Sequence, residues 1–143
     1  MQFTTMKKLT KAEEQIMQVL WDLGKGFVND MVNLLPEPKP AYNTVSTIVR
    51  ILEQKGFIAH KAYGRTHEYY PLVNKEDYSR EYLNNFTRNY FSSSYKALAS
   101  FFAQSENLSI KELEEIKLLV EAQIENHKKD TKWTQSSHIY WQV

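Results

Sequence analysis

The sequence predicts a mainly helical chain with one small β-hairpin, arranged as two modules. Three observations carry this. Before residue 57, apolar residues recur at helical spacing in three short blocks, each closed by Gly or Pro. Two runs rich in aromatic and β-branched residues then flank Tyr63-Gly64, as in a hairpin. From Lys75 onward the spacing returns to three and four, and aromatic residues crowd the segment.

The first helix is expected over about residues 11–23. Thr10 and Glu13 have the form of a capping box, in which each side chain satisfies a free backbone N–H at the helix start. Ile16, Val19, Leu20 and Leu23 follow, and Gly24 stands where a left-handed C-terminal residue is wanted. A shorter helix fits residues 28–35 through Val28, Met31, Val32 and Leu35. Pro36, Pro38 and Pro40 then impose a stiff, extended connection. The third helix runs from about Tyr42 to Lys55. Val45, Ile48, Val49 and Leu52 share one face, Asn43, Ser46, Thr47, Arg50 and Gln54 the opposite one, and Gly56 closes it.

The hairpin comprises residues 57–62 and 65–72, with Pro71 near the end of its second strand. In the second module Tyr78, Tyr82, Phe86 and Tyr90 recur every four residues. Ser92-Ser93-Ser94 breaks the helix before Tyr95, Leu98 and Phe102. Ser109 and Glu112 form a second capping box, Leu108 and Leu113 sit as a hydrophobic staple, and Leu113, Ile116, Val120 and Ile124 follow on one face. The pattern ends at Lys128-Lys129-Asp130. The expected division is residues 1–73, 74–128, and a loose tail at 129–143 in which Trp133, Tyr140 and Trp141 could dock.

Composition narrows the function. The chain has 143 residues, 42% of them hydrophobic and 24% charged, enough for a folded core. Cysteine is absent, which excludes disulfides, Cys-ligated zinc, iron–sulfur clusters and thiol catalysis. The four histidines, His60, His67, His127 and His138, show no metal-ligand or catalytic spacing. His60 and His67 would face each other across the hairpin only in some registers. There is no Gly-rich phosphate loop, so no enzyme, cofactor or metal site is expected. No apolar run is long enough to cross a membrane, and no apolar stretch follows Lys7-Lys8 as in a signal peptide, so a cytoplasmic protein is expected.

Three helices followed by a two-stranded hairpin is the winged helix-turn-helix arrangement, in which the third helix enters the major groove of DNA. Five segments follow in order: Leu9-Thr10-Lys11-Ala12-Glu13, Ile16-Met17-Gln18-Val19-Leu20-Trp21, Thr44-Val45-Ser46-Thr47-Ile48-Val49, Lys55-Gly56-Phe57-Ile58 and Tyr69-Tyr70-Pro71-Leu72-Val73. In these the chain resembles the penicillinase-repressor family, which includes methicillin-resistance and copper-responsive repressors. The resemblance runs from about Leu9 to Val120. It implies a homodimeric winged-helix repressor of a resistance or stress operon, and a membrane sensor-protease as the relay that inactivates it. The chain departs from the family pattern at several points. Ala41-Tyr42 stands where Ser-Pro often precedes the third helix, and Arg50 lies one place earlier than the family's Arg. Phe101-Phe102 occupies the place of a cleaved Asn-Phe bond. With no Cys, the metal site of copper-responsive members is excluded.

In such a module Asn43 suits adenine, Arg50 guanine, and Ser46 or Thr47 several base edges, while Thr44 lies toward the phosphates. On residue types alone, a solvated helix face fits them as well. Lys61 and Arg65 flank the hairpin turn and suit the DNA backbone or minor groove. Through Val73 there are nine Lys and Arg against seven Asp and Glu, so one copy binds phosphate weakly. A dimer doubles the contacts and reads a pseudo-palindromic operator in double-stranded DNA. The expected dimerisation residues are Tyr82, Phe86, Leu98, Phe102, Leu113, Ile116 and Val120, because their aromatic and aliphatic stripe exceeds what three short helices bury alone. The rival reading is a winged helix used for protein contacts without DNA, which the near-neutral charge permits.

Overall fold

A computed structural model describes the backbone of residues 8–140 and the side chains of residues 8–131. The element order is α1 (Lys11–Leu23), α2 (Val28–Leu34), α3 (Tyr42–Gln54), β1 (Ile58–Tyr63), β2 (Thr66–Pro71), α4 (Lys75–Phe91), α5 (Tyr95–Ala103) and α6 (Ile110–Tyr140). The chain divides into two compact units, one ending at Phe86 and the other beginning at Thr87.

In the first unit, α1 begins as its sequence demands. The Thr10 hydroxyl accepts from the Glu13 N–H at 3.2 Å, and the Glu13 carboxylate accepts from the Thr10 N–H at 3.1 Å. Glu13 also holds Lys55 Nζ at 2.7 Å, so the start of α1 is tied to the end of α3. Burial alone would raise the Glu13 carboxyl. Hydrogen bonds from Lys55 and the Thr10 backbone, with the Lys55 charge, outweigh that and hold it below the ordinary carboxylate range. At the end of α3, Gly56 adopts φ 82°, and the Phe57 N–H donates to the Leu52 carbonyl at 3.0 Å. This left-handed closure turns Phe57 into the core and sends the chain into β1.

The core is a single cluster. Ile16, Met17 and Leu20 of α1 meet Val28 and Met31 of α2, Val45, Val49 and Leu52 of α3, and Phe57, Ile58 and Tyr69 at the base of the hairpin. β1 and β2 pair antiparallel with Ile58 opposite Pro71 and Tyr63 opposite Thr66. The Gly26 and Tyr69 backbones exchange hydrogen bonds of 2.9 and 2.8 Å, joining the α1–α2 connection to β2. Tyr78 completes this unit. Its ring lies 5.5 Å from Trp21 and 6.0 Å from Phe57, and its hydroxyl donates to Glu14 at 2.6 Å. Burial, then the Glu14 bond, push the Tyr78 phenol far above its usual range. Trp21 Nε1 donates to the Val73 carbonyl at 2.8 Å.

Three local features differ from the sequence expectation. The hairpin turn is Gly64-Arg65 rather than Tyr63-Gly64. Gly64 has φ 64°, as the first central position of a two-residue turn requires, and this puts Arg65 at the tip. The Pro36–Pro40 connection bends back over α2, and Lys39 Nζ donates to the carbonyls of Val32, Asn33 and Leu35 at 2.7–3.3 Å. Residues 129–140, expected within a loose tail, continue α6. Their polar sequence lacks an apolar period but contains no Gly or Pro to stop a helix. The side chains of Trp133 and Tyr140, and all of Trp141, lie outside the described residues.

In the second unit, α4 ends where Ser92 and Ser93 adopt φ of 51° and 63°, and the Ser93 N–H returns to the Thr87 carbonyl at 3.0 Å. Ser94 then caps α5, accepting from the Ala97 N–H at 3.1 Å. The Phe91 and Phe101 rings meet at 5.4 Å. The Ser109–Glu112 capping box forms with bonds of 2.9 and 3.1 Å and opens α6.

Candidate nucleic-acid interface

The polar face of α3 exists because its apolar face is committed. Val45, Val49 and Leu52 are fully buried, so helical periodicity turns Asn43, Thr47 and Arg50 into solvent. Thr44 is exposed beside them and Ser46 is half-buried, placing Ser46 deeper than its spacing suggests. The Thr47 hydroxyl donates to the Asn43 backbone carbonyl at 2.9 Å, and the Asn43 side-chain amide has no hydrogen-bond partner among the described residues. Arg50 has no ion pair or side-chain hydrogen bond among the described residues. No side chain caps the start of α3, where Ala41 precedes Tyr42, so the first-turn N–H groups face solvent near Thr44.

The second part of the surface is the hairpin tip. Lys61, Tyr63, Gly64, Arg65 and Thr66 are all exposed. Lys61 Nζ lies 5.2 Å from the centre of the Tyr63 ring, and Tyr63 leans on Phe27 at 6.2 Å. Lys61 and Arg65 both lack a carboxylate partner among the described residues. Exposed cations without a carboxylate partner are suited to phosphate.

Between helix and tip lies a contact that the sequence did not reveal. His60 Nδ1 sits 2.8 and 2.7 Å from the two carboxylate oxygens of Glu53. The His67 ring stacks on His60 at 4.1 Å, 7° from parallel. The register that pairs His60 with Tyr69 and Ala62 with His67 puts both imidazoles on one face of the hairpin. Tyr69 backs them, its ring 5.6 Å from His60 and 6.2 Å from His67. Burial, then the Glu53 charge, raise the Tyr69 phenol, while the nearby Arg50 charge works against that rise. No cluster of three metal-ligating side chains occurs among the described residues.

The expected dimerisation residues stand in both units. Tyr82 and Phe86 belong to the first and are exposed. Leu98, Phe102, Leu113 and Ile116 of the second are half-buried, and Val120 is 53% exposed. Among the described residues from Thr87 onward, Thr87 alone is buried, and no apolar side chain is.

Three helices, a two-residue-turn hairpin and an uncommitted polar face on the third helix define a winged helix-turn-helix module. The chain belongs to the penicillinase repressor family, whose profile matches residues 9–122. Members of that family are transcriptional repressors, not enzymes. The methicillin resistance regulatory protein MecI of Staphylococcus aureus (strain N315) is 26% identical over 111 residues, covering 77% of this chain and 90% of that protein. The penicillinase repressor of Bacillus licheniformis is 25% identical over 129 residues, covering 87% of this chain and 100% of that protein. The solution structure of the DNA-binding domain of the repressor BlaI aligns with 51% of this chain and 90% of its own, at 26% identity and a TM-score of 0.45. No helix among the described residues is long and apolar enough to cross a membrane.

Proposed function

We propose that this chain is a homodimeric, sequence-specific repressor that binds a pseudo-palindromic operator. In this reading α3 lies in the major groove, with Asn43, Ser46, Thr47 and Arg50 reading base edges and Thr44 at the phosphate flank. Lys61 and Arg65 of the wing hold the backbone alongside. The observation that carries the reading is that Arg50, Lys61 and Arg65 are exposed cations with no carboxylate partner among the described residues, set on one helix face and one hairpin tip. Dimerisation is supported by the second unit, whose described apolar side chains are only half-buried or exposed. The names of its relatives point to a resistance operon of the β-lactam type as the target; a stress operon is the alternative target. By the same resemblance, a membrane sensor-protease relays the inducing signal.

Genomic footprinting of the tagged chain tests this. A short set of sites with two-fold symmetry is expected, one of them near its own gene. On a duplex from such a site, Arg50→Ala should weaken binding by about 1–3 kcal/mol and relax the sequence requirement at one position in each half-site. Affinity should also fall steeply as salt rises. A flat footprint from folded dimer would favour a winged helix used for protein contacts.

A further inference from the structure

We propose that Glu53, His60 and His67 act as a strap that positions the wing against α3, so that the DNA affinity contributed by Lys61 and Arg65 depends on it. This rests on the DNA-binding reading above. The hairpin is anchored in the core at its base, where Ile58 and Tyr69 are buried, whereas residues 61–66 are exposed, with Tyr63 resting its ring against Phe27 at 6.2 Å. A two-stranded ribbon is marginal by itself, so such a tip gains from a further hold beside that ring contact. Glu53 provides one from the last turn of α3, three residues beyond Arg50. A carboxylate only accepts, so Nδ1 of His60 carries the proton and donates it to Glu53 at 2.7–2.8 Å, the length of a charge-assisted bond. His67 covers the outer face of His60, and Tyr69 lies against both rings.

This arrangement has two consequences for binding. It joins the helix that reads bases to the ribbon that touches phosphate, and so sets the spacing between them. It also turns the Glu53 carboxylate, which would repel phosphate one turn from Arg50, onto an imidazole. The pair is about one-third exposed on each side, so it adds little to stability and its loss should leave the fold intact.

The test uses the full chain and an operator duplex recovered by footprinting. Glu53→Ala should weaken binding about tenfold and flatten the salt dependence, as the double variant Lys61→Ala/Arg65→Ala does. In the triple variant the Glu53 substitution should add almost nothing, because the contacts it positions are already gone. His67→Phe, which keeps a ring in the stack, should recover most of the affinity that His67→Ala loses. In the free protein, nitrogen-15 relaxation should show residues 61–65 gaining motion in Glu53→Ala. Losses that simply add, or a tip whose motion is unchanged, overturn the strap while leaving DNA binding by the wing standing. Wild-type chain with no salt-dependent DNA binding overturns both.

Discussion

The two units of the chain handle apolar surface in opposite ways. The first closes a core from every element it contains, with Met17, Leu20, Met31, Val45, Val49 and Leu52 wholly out of water. The second presents Phe101, Ile110, Leu118 and Leu119 at 64–78% exposure and buries no described apolar side chain. Since burial of apolar area is the main favourable term in folding, the first unit draws far more of it from one copy than the described residues of the second do. In the proposed reading, recognition and assembly are thus separated along the sequence: the first unit holds its geometry unaided, and a second chain would supply the surface that the helical unit lacks.

The sharpest way to break that contrast is Leu113→Asp, on the inner stripe of α6. In the proposed dimer interface, a charge buried at this position costs several kcal/mol. Sedimentation at micromolar concentration should show monomers whose second unit has melted, while the thermal transition of the first unit is unchanged. A folded dimer would remove Leu113 from the interface and with it the claim that the second unit needs a partner.

The next largest effect concerns where the self-sufficient unit ends. Tyr78 lies on α4, yet it packs on Trp21 and Phe57 and bonds Glu14. Tyr78→Ala should cost the first unit about 2–4 kcal/mol in urea unfolding, from lost ring packing and a lost hydrogen bond. A fragment ending at residue 86 should fold alone, and one ending at 73 should be weaker by a similar amount. Trp21 fluorescence reports both. Equal stability of the two fragments would show that α4 adds nothing to the first unit.

Glu13 offers a smaller and pH-dependent probe of the same unit. Its folded carboxyl titrates below its ordinary value of 4.5. The unfolded chain therefore takes up this proton first as pH falls. The stabilisation is present in full above the ordinary carboxylate range and disappears as pH drops through the depressed folded value. Glu13→Gln should cost about 1–3 kcal/mol at pH 7, leaving Lys55 without its partner. It should also flatten the acid limb of the stability curve. An unchanged acid limb would mean that other carboxylates set the acid sensitivity.

Much of this was legible in the residues because local rules decided it. The Thr10–Glu13 and Ser109–Glu112 boxes, the break at Ser92–Ser94 and the closing Gly56 are each written within a few positions, and each forms. The α3 face was legible for the same reason, since a 3.6-residue period needs no tertiary information. What escaped depended on distant segments meeting or on the lack of a signal. Glu53 and His60 are seven residues apart, but their contact depends on the angle at which β1 leaves α3. The His60–His67 stack depends on a register that the Gly64-Arg65 turn fixes. Tyr78 shares the four-residue spacing of Tyr82 and Phe86, so its sequence neighbours concealed its partner, Trp21. The course of α6 beyond Asp130 has neither an apolar stripe nor a run of strong helix formers to announce it, so pattern reading does not register it.

The smallest expected effect lies at the α4–α5 corner, and it sharpens the contrast from the other side. Ser92 and Ser93 both hold left-handed φ, which costs an L-residue roughly 1 kcal/mol each relative to glycine. The first unit places Gly24, Gly56 and Gly64 at its left-handed positions. The second uses serines, and its corner is retained against a local preference. Ser93→Gly should raise the thermal stability of the second unit by about 0.5–1 kcal/mol, since the Thr87 carbonyl still receives the residue 93 N–H. The first unit, unfolding separately, should not respond. If both transitions rise together, the two units melt as one, and the separation of reading from assembly would fail as a thermodynamic statement.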